Sequence, residues 1–322
     1  MRYRTFGRTG WQVSEIGYGM WGMAGWTGSD DKESLESLQL AVDLGCNFFD
    51  TAWDYGEGHS EELLGQTMRA NPSKRLYTAT KVPPKNRQWP ARRGDKLDDV
   101  FPPEYIHEYA RRSLENLGLP RVDLLQFHVW DDAWAQDERW QRAVDDLRRE
   151  NLVGAIGVSV NRWEPANGIA MLRTGLVDAV QVIYNIFDQS PEDELFPVCR
   201  ELNVAAIARV PFDEGSLTGT LTTRSTWPKS DFRSLYFGPE NLVPTVQRVD
   251  ALLKLVPKEA LPEIALRFIL ANPDVDVVIP GMRKAAHVRG NVEASDAAPL
   301  PSALLDELRN HRWDRQPTSW SG

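Results

Sequence analysis

The chain has 322 residues, of which 42% are hydrophobic and 26% charged, a composition typical of soluble globular enzymes and not of disordered or fibrous proteins. The formal net charge of −9 argues against nucleic acid as a partner, because neutralising phosphates requires a basic face. No apolar stretch reaches the length of a membrane span and the first ten residues are polar, so we expect neither a membrane partner nor a secretory signal. Two cysteines in apolar surroundings are expected as unpaired buried thiols in a cytoplasmic protein.

An N-terminal hairpin precedes the main fold. Residues 3–13 alternate around Gly7 and Gly10, which predicts two short strands placed to plug one end of a barrel. From residue 16 onwards, an apolar strand followed by an amphipathic helix recurs eight times. The predicted strands are 16–19, 47–50, 76–81, 123–128, 154–159, 179–184, 204–210 and 275–279. The predicted helices are 32–44, 61–68, 104–117, 139–150, 165–173, 193–202, 243–255 with 262–270, and 284–294.

Eight alternating units with apolar strands predict parallel pairing and an α/β fold closed into a (β/α)8 TIM barrel. We expect one domain over residues 1–322, with an extra C-terminal helix at 302–311 and a tail through Trp320. No Gly-x-Gly-x-x-Gly motif follows the first strand, which argues against an open dinucleotide-binding sheet. Residues 85–102 and 211–241 exceed ordinary connection lengths, so we interpret them as lids or binding loops.

Four ionisable residues follow strands of this predicted barrel. Asp50 ends the second strand, Tyr55 lies in the loop after it, Lys81 ends the third strand and His128 ends the fourth. Taken singly, each would be an ordinary packed or solvated residue. Because the carboxyl ends of barrel strands converge on one pocket, we expect the four side chains to meet there.

Together these residue types can transfer a proton to an oxygen atom. A phenol is a weak acid near neutral pH unless a nearby cation favours the phenolate, and Lys81 can supply that cation with Asp50 as its carboxylate partner. His128 can donate a hydrogen bond to a carbonyl oxygen and help to protonate or orient it. Proton delivery is useful when hydride reaches the carbonyl carbon, so a reduced nicotinamide would complete the reaction.

Ordered motifs carry a family resemblance. They are Arg4-Thr5-Phe6-Gly7-Arg8-Thr9-Gly10, Phe49-Asp50-Thr51-Ala52, Tyr55-Gly56, Thr80-Lys81, Leu125-Gln126-Phe127-His128 and Ile279-Pro280-Gly281. From Tyr3 to about Ala294 the chain resembles the aldo-keto reductase superfamily, closest to its bacterial branches related to potassium-channel β-subunits and general stress reductases. The resemblance implies a barrel that binds NADP(H), with a catalytic tetrad of Asp50, Tyr55, Lys81 and His128. It also implies that Tyr55 is the general acid and that the retained histidine favours carbonyl reduction.

The resemblance further implies a set of cofactor-binding residues. Ser159 and Gln181 match positions that bind the nicotinamide carboxamide. The loop with Val210, Phe212, Asp213 and Gly215 matches the pyrophosphate cradle. The residues that match the adenosine end are Gly281, Arg283, His287 and Asn291, with Arg283 placed to pair with a 2′-phosphate.

Three positions depart from the family pattern. Val160 is inserted between Ser159 and Asn161, which are adjacent in many members. Arg209 stands where an aromatic residue usually stacks on the nicotinamide, and a guanidinium can stack on a flat ring. His287 stands where many relatives have Arg or Gln. The resemblance therefore favours NADP(H), with NAD(H) as the alternative.

Aromatic residues after the strands predict the substrate mouth. Trp21, Trp53, Trp89 and Trp130 follow the first four strands, and several of them are expected to contact a small-molecule carbonyl substrate. The sequence therefore predicts an oxidoreductase that reduces an aldehyde or ketone, and no metal site. Two alternatives remain open: a cofactor-binding regulatory protein resembling channel β-subunits, and a barrel aldolase that uses Lys81 as a Schiff-base nucleophile.

Overall fold

The computed structural model describes residues 1–24, 28–229 and 231–315, so the predicted tail at Trp320 lies outside the described residues. The chain begins with an antiparallel hairpin of β1 (Tyr3–Phe6) and β2 (Trp11–Ser14), as predicted. Gly10 closes the turn between them with a φ of 72°, a left-handed conformation that favours glycine.

Within the described residues, eight parallel strands follow the hairpin and pair in chain order. Backbone bridges join Ile16 to Val278 and Gly19 to Gly281, so the first and last strands lie side by side and the sheet closes. The predicted (β/α)8 barrel is therefore confirmed. Its strands are β3 (Tyr18–Gly19), β4 (Phe48–Asp50), β5 (Tyr77–Val82), β6 (Val122–Phe127), β7 (Val153–Ser159), β8 (Ala179–Ile183), β9 (Ala205–Arg209) and β10 (Val277–Val278).

The α-helices of the described residues cover the outside of the barrel and the loops at its ends. No helix in these residues combines the length and apolarity that a membrane crossing needs. The helices are α1 (Asp31–Asp43), α2 (His59–Ala70), α3 (Leu97–Val100), α4 (Pro103–Leu117), α5 (Glu138–Arg149), α6 (Ile169–Leu172), α7 (Leu195–Leu202), α8 (Arg233–Tyr236), α9 (Leu242–Leu252), α10 (Leu261–Leu270), α11 (Ala285–Asp296) and α12 (Ser302–Arg309).

Helix α6 is shorter than the sequence pattern predicts. The expected helix at 165–173 begins only at Ile169. The carboxylate of Asp132 accepts hydrogen bonds from the backbone N–H groups of Ala170 and Met171, at 2.8 and 3.2 Å. The start of α6 is therefore fixed by an acceptor from a distant segment, a contact that local periodicity does not encode.

The hairpin fills one end of the barrel interior. Phe6 and Val13 pack in one buried apolar cluster with inward-facing strand residues such as Phe48, Ala79 and Leu124. This cluster closes the amino-terminal end of the barrel, as the sequence predicts. The polar side chains that point into the barrel and form the site therefore lie toward the opposite, carboxyl end.

A layer of polar side chains lies next to this apolar cluster, toward the carboxyl ends of the strands. Successive side chains of a strand point to opposite faces, so residues two positions beyond the interior cluster also face inward. By this rule the layer above the cluster contains Asp50, Lys81, Gln126, Gln181 and Arg209. The fold thus gathers a carboxylate, an ammonium, two amides and a guanidinium at one end of the barrel.

Candidate active site

Lys81 is a fully buried lysine at the floor of the site. Its Nζ donates hydrogen bonds to Asp50 Oδ2 at 2.6 Å and to the Thr51 carbonyl oxygen at 2.7 Å, and it lies 3.4 Å from Tyr55 Oη. Burial lowers the pKa of Lys81, but the adjacent Asp50 carboxylate and Tyr55 hydroxyl together raise it above its ordinary value. Lys81 therefore stays charged across the physiological pH range.

Tyr55 is a protonated phenol held beside that charge. Burial raises the pKa of Tyr55, and this effect exceeds the lowering by Lys81 and Arg209. The net lowering of the Tyr55 pKa that the sequence argument expects is therefore not found, because sequence identifies the cation but not the extent of desolvation. At neutral pH the Tyr55 hydroxyl keeps its proton, which is the state that a proton donor needs.

His128 faces Tyr55 as a neutral imidazole. The two rings meet edge to face with centroids 5.9 Å apart, and the Trp89 ring also meets the imidazole edge to face at the same separation. Burial, followed by the charges of Lys81 and Arg209, holds the pKa of His128 well below its ordinary value. The buried Nδ1 of His128 has no hydrogen-bond partner within the described part of the chain. The ring can thus offer one N–H to a ligand, but it does not carry a charge.

We predict that the His128 ring does not titrate between about pH 6 and pH 8, where an ordinary histidine changes charge. The lowered pKa means that His128 is already deprotonated throughout this window and gains a proton only at much lower pH. Histidine ring resonances followed by NMR across the window test this. The exposed His59, whose pKa is raised by Asp31, is the internal control that should titrate. A His128 resonance that moves in parallel with it would contradict the neutral imidazole.

Asp50 is braced by two buried amides in addition to Lys81. Gln126 and Gln181 both donate through Nε2 to Asp50 Oδ1, at 3.0 and 2.8 Å. Gln181 also donates to Gln126 Oε1 at 3.2 Å, so the three side chains form one network across β4, β6 and β8. Sequence reasoning assigned no role to Gln126, although its position two residues after the interior Leu124 was a sufficient signal.

A pocket of about 620 Å³ opens above these residues at the carboxyl ends of the strands. Tyr55 and His128 lie in its lining, whereas Lys81 and Gln126 support it from below. The two long loops predicted as lids both border it, through Trp89 and Pro90 from one and Phe232 and Tyr236 from the other. The volume suits a ligand the size of a drug or a cofactor fragment.

Three of the four predicted tryptophans line this pocket. Trp21 packs edge to face on Phe232 with ring centroids 5.4 Å apart, Trp89 covers His128, and the buried Trp130 contributes to the wall. Trp163, which follows the fifth strand, lines the pocket as well and was missed. The criterion that selected the other tryptophans, position directly after a strand, also identifies Trp163.

Trp53 lies outside the pocket. Its ring packs edge to face against Tyr109 on α4 at 4.8 Å, and the Arg87 guanidinium lies 5.3 Å from its centroid. Only 8% of Trp53 is exposed, so the expectation that it reaches a substrate does not match its placement. The loop that contains Trp53 packs against α4, and this packing turns the side chain away from the pocket. A loop sequence has no regular repeat from which that orientation could be predicted.

The residues of the predicted cofactor site divide into those that border the pocket and those that do not. Most of them border the pocket: Ser159, Gln181, Arg209, Val210, Phe212, Gly215 and Gly281. The side chain of Asp213 is fully buried away from the pocket, where its Oδ2 accepts a hydrogen bond from Ser216 at 2.7 Å. The backbone of this loop has positive φ angles at Val210, Asp213 and Gly215, the kind of curvature that forms anion-binding concavities.

Arg209 is a buried guanidinium that makes no salt bridge with any carboxylate in the part of the chain that the structure describes. Its Nη2 donates to the Val160 carbonyl oxygen at 3.1 Å, which gives the inserted Val160 a contact role. Its buried Nε has no hydrogen-bond partner, and no carboxylate oxygen lies within 4 Å of it, among the residues that the structure describes. Arg209 therefore contributes a positive charge to the pocket floor that acts on Glu214 and Asp50 without a direct ion pair among the described residues.

The predicted adenosine-end residues lie in the turn before α11 and within the helix itself. Arg283 donates through Nη1 to the Gly22 carbonyl oxygen at 3.2 Å, whereas His287 is exposed on the first turns of the helix. Asn291 is buried, and its Nδ2 lacks a hydrogen-bond partner in the described ranges. The group thus combines a half-buried cation with an unsatisfied amide donor.

The fold and pocket together define a (β/α)8-barrel enzyme whose polar residues meet at the carboxyl ends of its strands. The chain belongs to the aldo/keto reductase family, whose family model matches residues 15–312, so the predicted family is confirmed and the protein is an oxidoreductase. It is 29% identical to the aldo-keto reductase YhdN of Bacillus subtilis over 297 residues, which cover 88% of this chain and 86% of that protein.

Two further likenesses bear on cofactor and fold. An NADH-specific methylglyoxal reductase of Escherichia coli is 27% identical over 311 residues, covering 91% of this chain and 93% of that protein. The holo form of the aldo-keto reductase AKR11C1 from Bacillus halodurans superimposes with a TM-score of 0.77 at 23% identity and complete coverage of both chains, which establishes the shared fold.

Proposed function

We propose that this protein reduces an aldehyde or ketone to an alcohol with a reduced nicotinamide cofactor, and that the cofactor is NADPH in preference to NADH. The observation that carries the proposal is the charged, fully buried Lys81, which contacts both the Asp50 carboxylate and the Tyr55 hydroxyl at the pocket floor. A proton donor and a neutral hydrogen-bond donor, His128, then face the same small volume. This arrangement suits protonation of a carbonyl oxygen.

Each residue has a distinct task in this mechanism. His128 donates an N–H hydrogen bond that orients the carbonyl oxygen toward Tyr55 Oη. Tyr55 releases its proton to that oxygen as the carbon is reduced, and Lys81 stabilises the phenolate that remains. Asp50, held by Gln126 and Gln181, keeps the ammonium charged and in place. A bound reduced nicotinamide would supply the hydride for the carbonyl carbon.

The residues present fit a nicotinamide dinucleotide. Unsatisfied donors lie at both ends of the expected path: the Nε of Arg209 beside the pocket floor and the Nδ2 of Asn291 on α11, each without a partner in the described chain. Between them, the curved backbone of residues 210–215 suits the phosphates. Ser159 and Gln181 would hold the nicotinamide end, and Arg283 with His287 the adenosine end.

The raised pKa of Lys81 argues against the aldolase alternative. A Schiff-base nucleophile must be a neutral amine, and lysines with this task have lowered pKa values. In this protein the Asp50 carboxylate at 2.6 Å holds Lys81 in its charged form. We therefore expect no substrate to be trapped on Lys81 by borohydride.

Cofactor preference follows from Arg283. No carboxylate lies within 4 Å of its guanidinium among the described residues, and the nearby Lys284 adds a second cation at the start of α11. We predict that Arg283→Gln weakens NADPH binding by roughly tenfold or more and leaves NADH binding within about twofold, because only NADPH carries the 2′-phosphate. Quenching of intrinsic tryptophan fluorescence during titration with each nucleotide measures both affinities.

The control for this change is Arg289→Gln, which removes an exposed arginine from the same helix. It should alter neither affinity. If Arg283→Gln weakened the binding of NADPH and of NADH equally, Arg283 would not be the residue that recognises the 2′-phosphate. Tighter binding of NADH than of NADPH by the unmodified chain would contradict the proposed preference.

Turnover decides between an enzyme and a regulatory cofactor-binding protein. The purified chain is mixed with NADPH and a panel of small aldehydes and ketones, with apolar, aromatic and sugar-like members because the pocket walls are aromatic. Carbonyl-dependent oxidation of NADPH is expected for at least one class. Tight NADPH binding without turnover on any member of the panel would favour the regulatory alternative.

A further inference from the structure

Five side chains form a buried charged cluster behind the cofactor loop, and we call it the tail cluster. It contains two arginines, two aspartates and one tyrosine, and each side chain is less than one tenth exposed. The connections after β7 and β8 contribute one residue each, the connection after β9 contributes two, and the C-terminal tail contributes the fifth. The members are Arg162, Asp188, Asp213, Tyr236 and Arg315.

Asp213 is the centre of the tail cluster. Its Oδ1 accepts hydrogen bonds from Arg315 Nη2 and from Tyr236 Oη, both at 2.7 Å, and lies 3.5 Å from Arg162 Nη2. Arg315 also donates through Nη1 to Tyr236 Oη at 2.6 Å. Burial raises the pKa of Asp213, but Arg315 and Arg162 outweigh it and bring the pKa below its ordinary value. Asp213 is therefore a carboxylate.

The tail that supplies Arg315 is docked on the barrel. The backbone N–H of Trp313 donates to the Phe187 carbonyl oxygen at 2.8 Å, directly after strand β8. Two guanidiniums contact the Trp313 ring, that of Arg248 at 4.4 Å and that of Arg315 at 4.3 Å from its centroid. These contacts deliver Arg315 to the loops at the carboxyl end of the barrel, where the pocket is.

The positive charge of Arg315 affects ligand binding because it balances a carboxylate in the tail cluster. Two guanidiniums match two carboxylates, so the five side chains of the tail cluster are neutral together, and the adjoining Arg209 and Glu214 form a second pair of opposite sign. Asp213 belongs to the loop 210–215 whose other residues line the pocket, and the loop residue Glu214 is a further acid there. Without Arg315 the cluster would keep one excess negative charge in a poorly solvated site, directly behind a loop that the proposed function assigns to phosphates.

Asp213 is nevertheless needed for the shape of the pocket. It adopts a left-handed φ of 46°, which side chains disfavour, so its own contacts must hold it there. Its hydrogen bond to Tyr236 also places an aromatic residue that lines the pocket. The fold thus retains a carboxylate beside a site for anions, and a tail residue compensates for its charge.

We propose that Arg315 is a positioning residue for cofactor binding, which acts by neutralising Asp213 so that the loop 210–215 accepts the phosphates of a nicotinamide dinucleotide. The inference rests on the proposed function, since it requires that the loop binds this cofactor. It assigns the C-terminal tail a part in the cofactor site, although no tail residue borders the pocket among those described.

The test compares NADPH dissociation constants of full-length variants, measured by tryptophan fluorescence quenching. We expect Arg315→Gln to raise the dissociation constant by roughly tenfold or more, because it uncovers a buried carboxylate near the cofactor phosphates. At saturating NADPH its kcat should stay within about twofold, since Arg315 touches no reacting atom. Arg312→Gln is the matched control: Arg312 lies in the same tail but pairs bidentately with Asp193 at the surface, and its loss should leave the dissociation constant unchanged.

A second-site change separates charge from general loosening. In the double variant Asp213→Asn with Arg315→Gln the excess charge is gone, so affinity should return to within about threefold of the unmodified chain. The variant Arg315→Lys keeps the positive charge but loses the planar set of guanidinium donors. Its NADPH dissociation constant should lie between those of Arg315→Gln and the unmodified chain. This measurement remains informative if Arg315→Gln does not fold.

Several outcomes would overturn the inference. An unchanged dissociation constant in Arg315→Gln does so directly. A double variant as weak as Arg315→Gln does so as well, because the loss would then come from broken packing and not from charge. If the unmodified chain binds neither NADPH nor NADH, the proposed function fails and the inference with it, whereas normal binding by the unmodified chain confines the failure to Arg315.

Discussion

Replacing Tyr55 by phenylalanine is expected to lower kcat/KM for carbonyl reduction by about 10² to 10⁴, the usual contribution of a general acid. The change removes one hydroxyl, whose contact with Lys81 Nζ is 3.4 Å long. Lys81 keeps its shorter hydrogen bonds to Asp50 and to the Thr51 carbonyl oxygen, so the fold and the affinity for NADPH should stay close to those of the unmodified chain. Steady-state NADPH oxidation and a fluorescence titration of the same preparation measure the two quantities.

The same substitution at a remote tyrosine is the control. Tyr3 is exposed on the hairpin at the opposite end of the barrel, and its hydroxyl donates to the Gly45 carbonyl oxygen. Tyr3→Phe should leave kcat/KM unchanged. A Tyr55→Phe variant that binds NADPH normally and keeps more than about a tenth of the activity would require a different proton donor, since loss of the acid should cost at least a hundredfold.

The pH dependence of the unmodified enzyme follows from the raised pKa of Tyr55. The phenol holds its proton below that pKa and loses it only as the pH rises through it, so Tyr55 imposes no loss of reduction rate near neutral pH. Oxidation of the alcohol needs the phenolate and should instead become faster as the pH rises. His128 is neutral through the same pH range, because its pKa lies well below its ordinary value. The reduction rate should therefore show no change at about pH 6.5 that comes from His128.

The barrel and the floor of its site could be predicted because they depend on regular periods. Alternation along β5 places Lys81 in line with the interior residue Ala79, and alternation along β4 places Asp50 in line with Phe48. The same rule applied to β6 would have included Gln126. Where a strand positions the side chain, sequence therefore determines which face of the barrel that side chain occupies.

Loops and long-range contacts could not be predicted on the same basis. Trp53 and Trp163 both follow strands, yet one packs against Tyr109 outside the pocket and the other lines it. The contact between Arg315 and Asp213 joins residues 102 positions apart through a tail with no repeating pattern. The pKa of Tyr55 depends on how far water is excluded from its hydroxyl, which is a property of the assembled pocket and not of any local motif.

Replacing Lys81 by methionine is expected to have the largest combined effect on stability and activity. The change removes the ammonium and leaves the buried Asp50 carboxylate, among the described residues, with only the amides of Gln126 and Gln181 as side-chain donors. Breaking a buried ion pair in this way costs about 3 to 5 kcal/mol of unfolding free energy. Lys74→Met, which breaks an exposed ion pair with Asp43 at 3.1 Å, is the control and should cost at most about 1 kcal/mol. Urea denaturation measures both.

The double variant Lys81→Met with Asp50→Asn separates the two roles of Lys81. Removing the orphaned charge should restore most of the unfolding free energy, because a neutral amide can share hydrogen bonds with Gln126 and Gln181 without a buried charge. Carbonyl reduction should remain as low as in Lys81→Met, because the phenolate that Tyr55 leaves after proton transfer would still lack its cation. Recovery of activity together with stability would mean that Lys81 serves the fold alone, and the chemistry would then have to rest on Tyr55 and His128 without it.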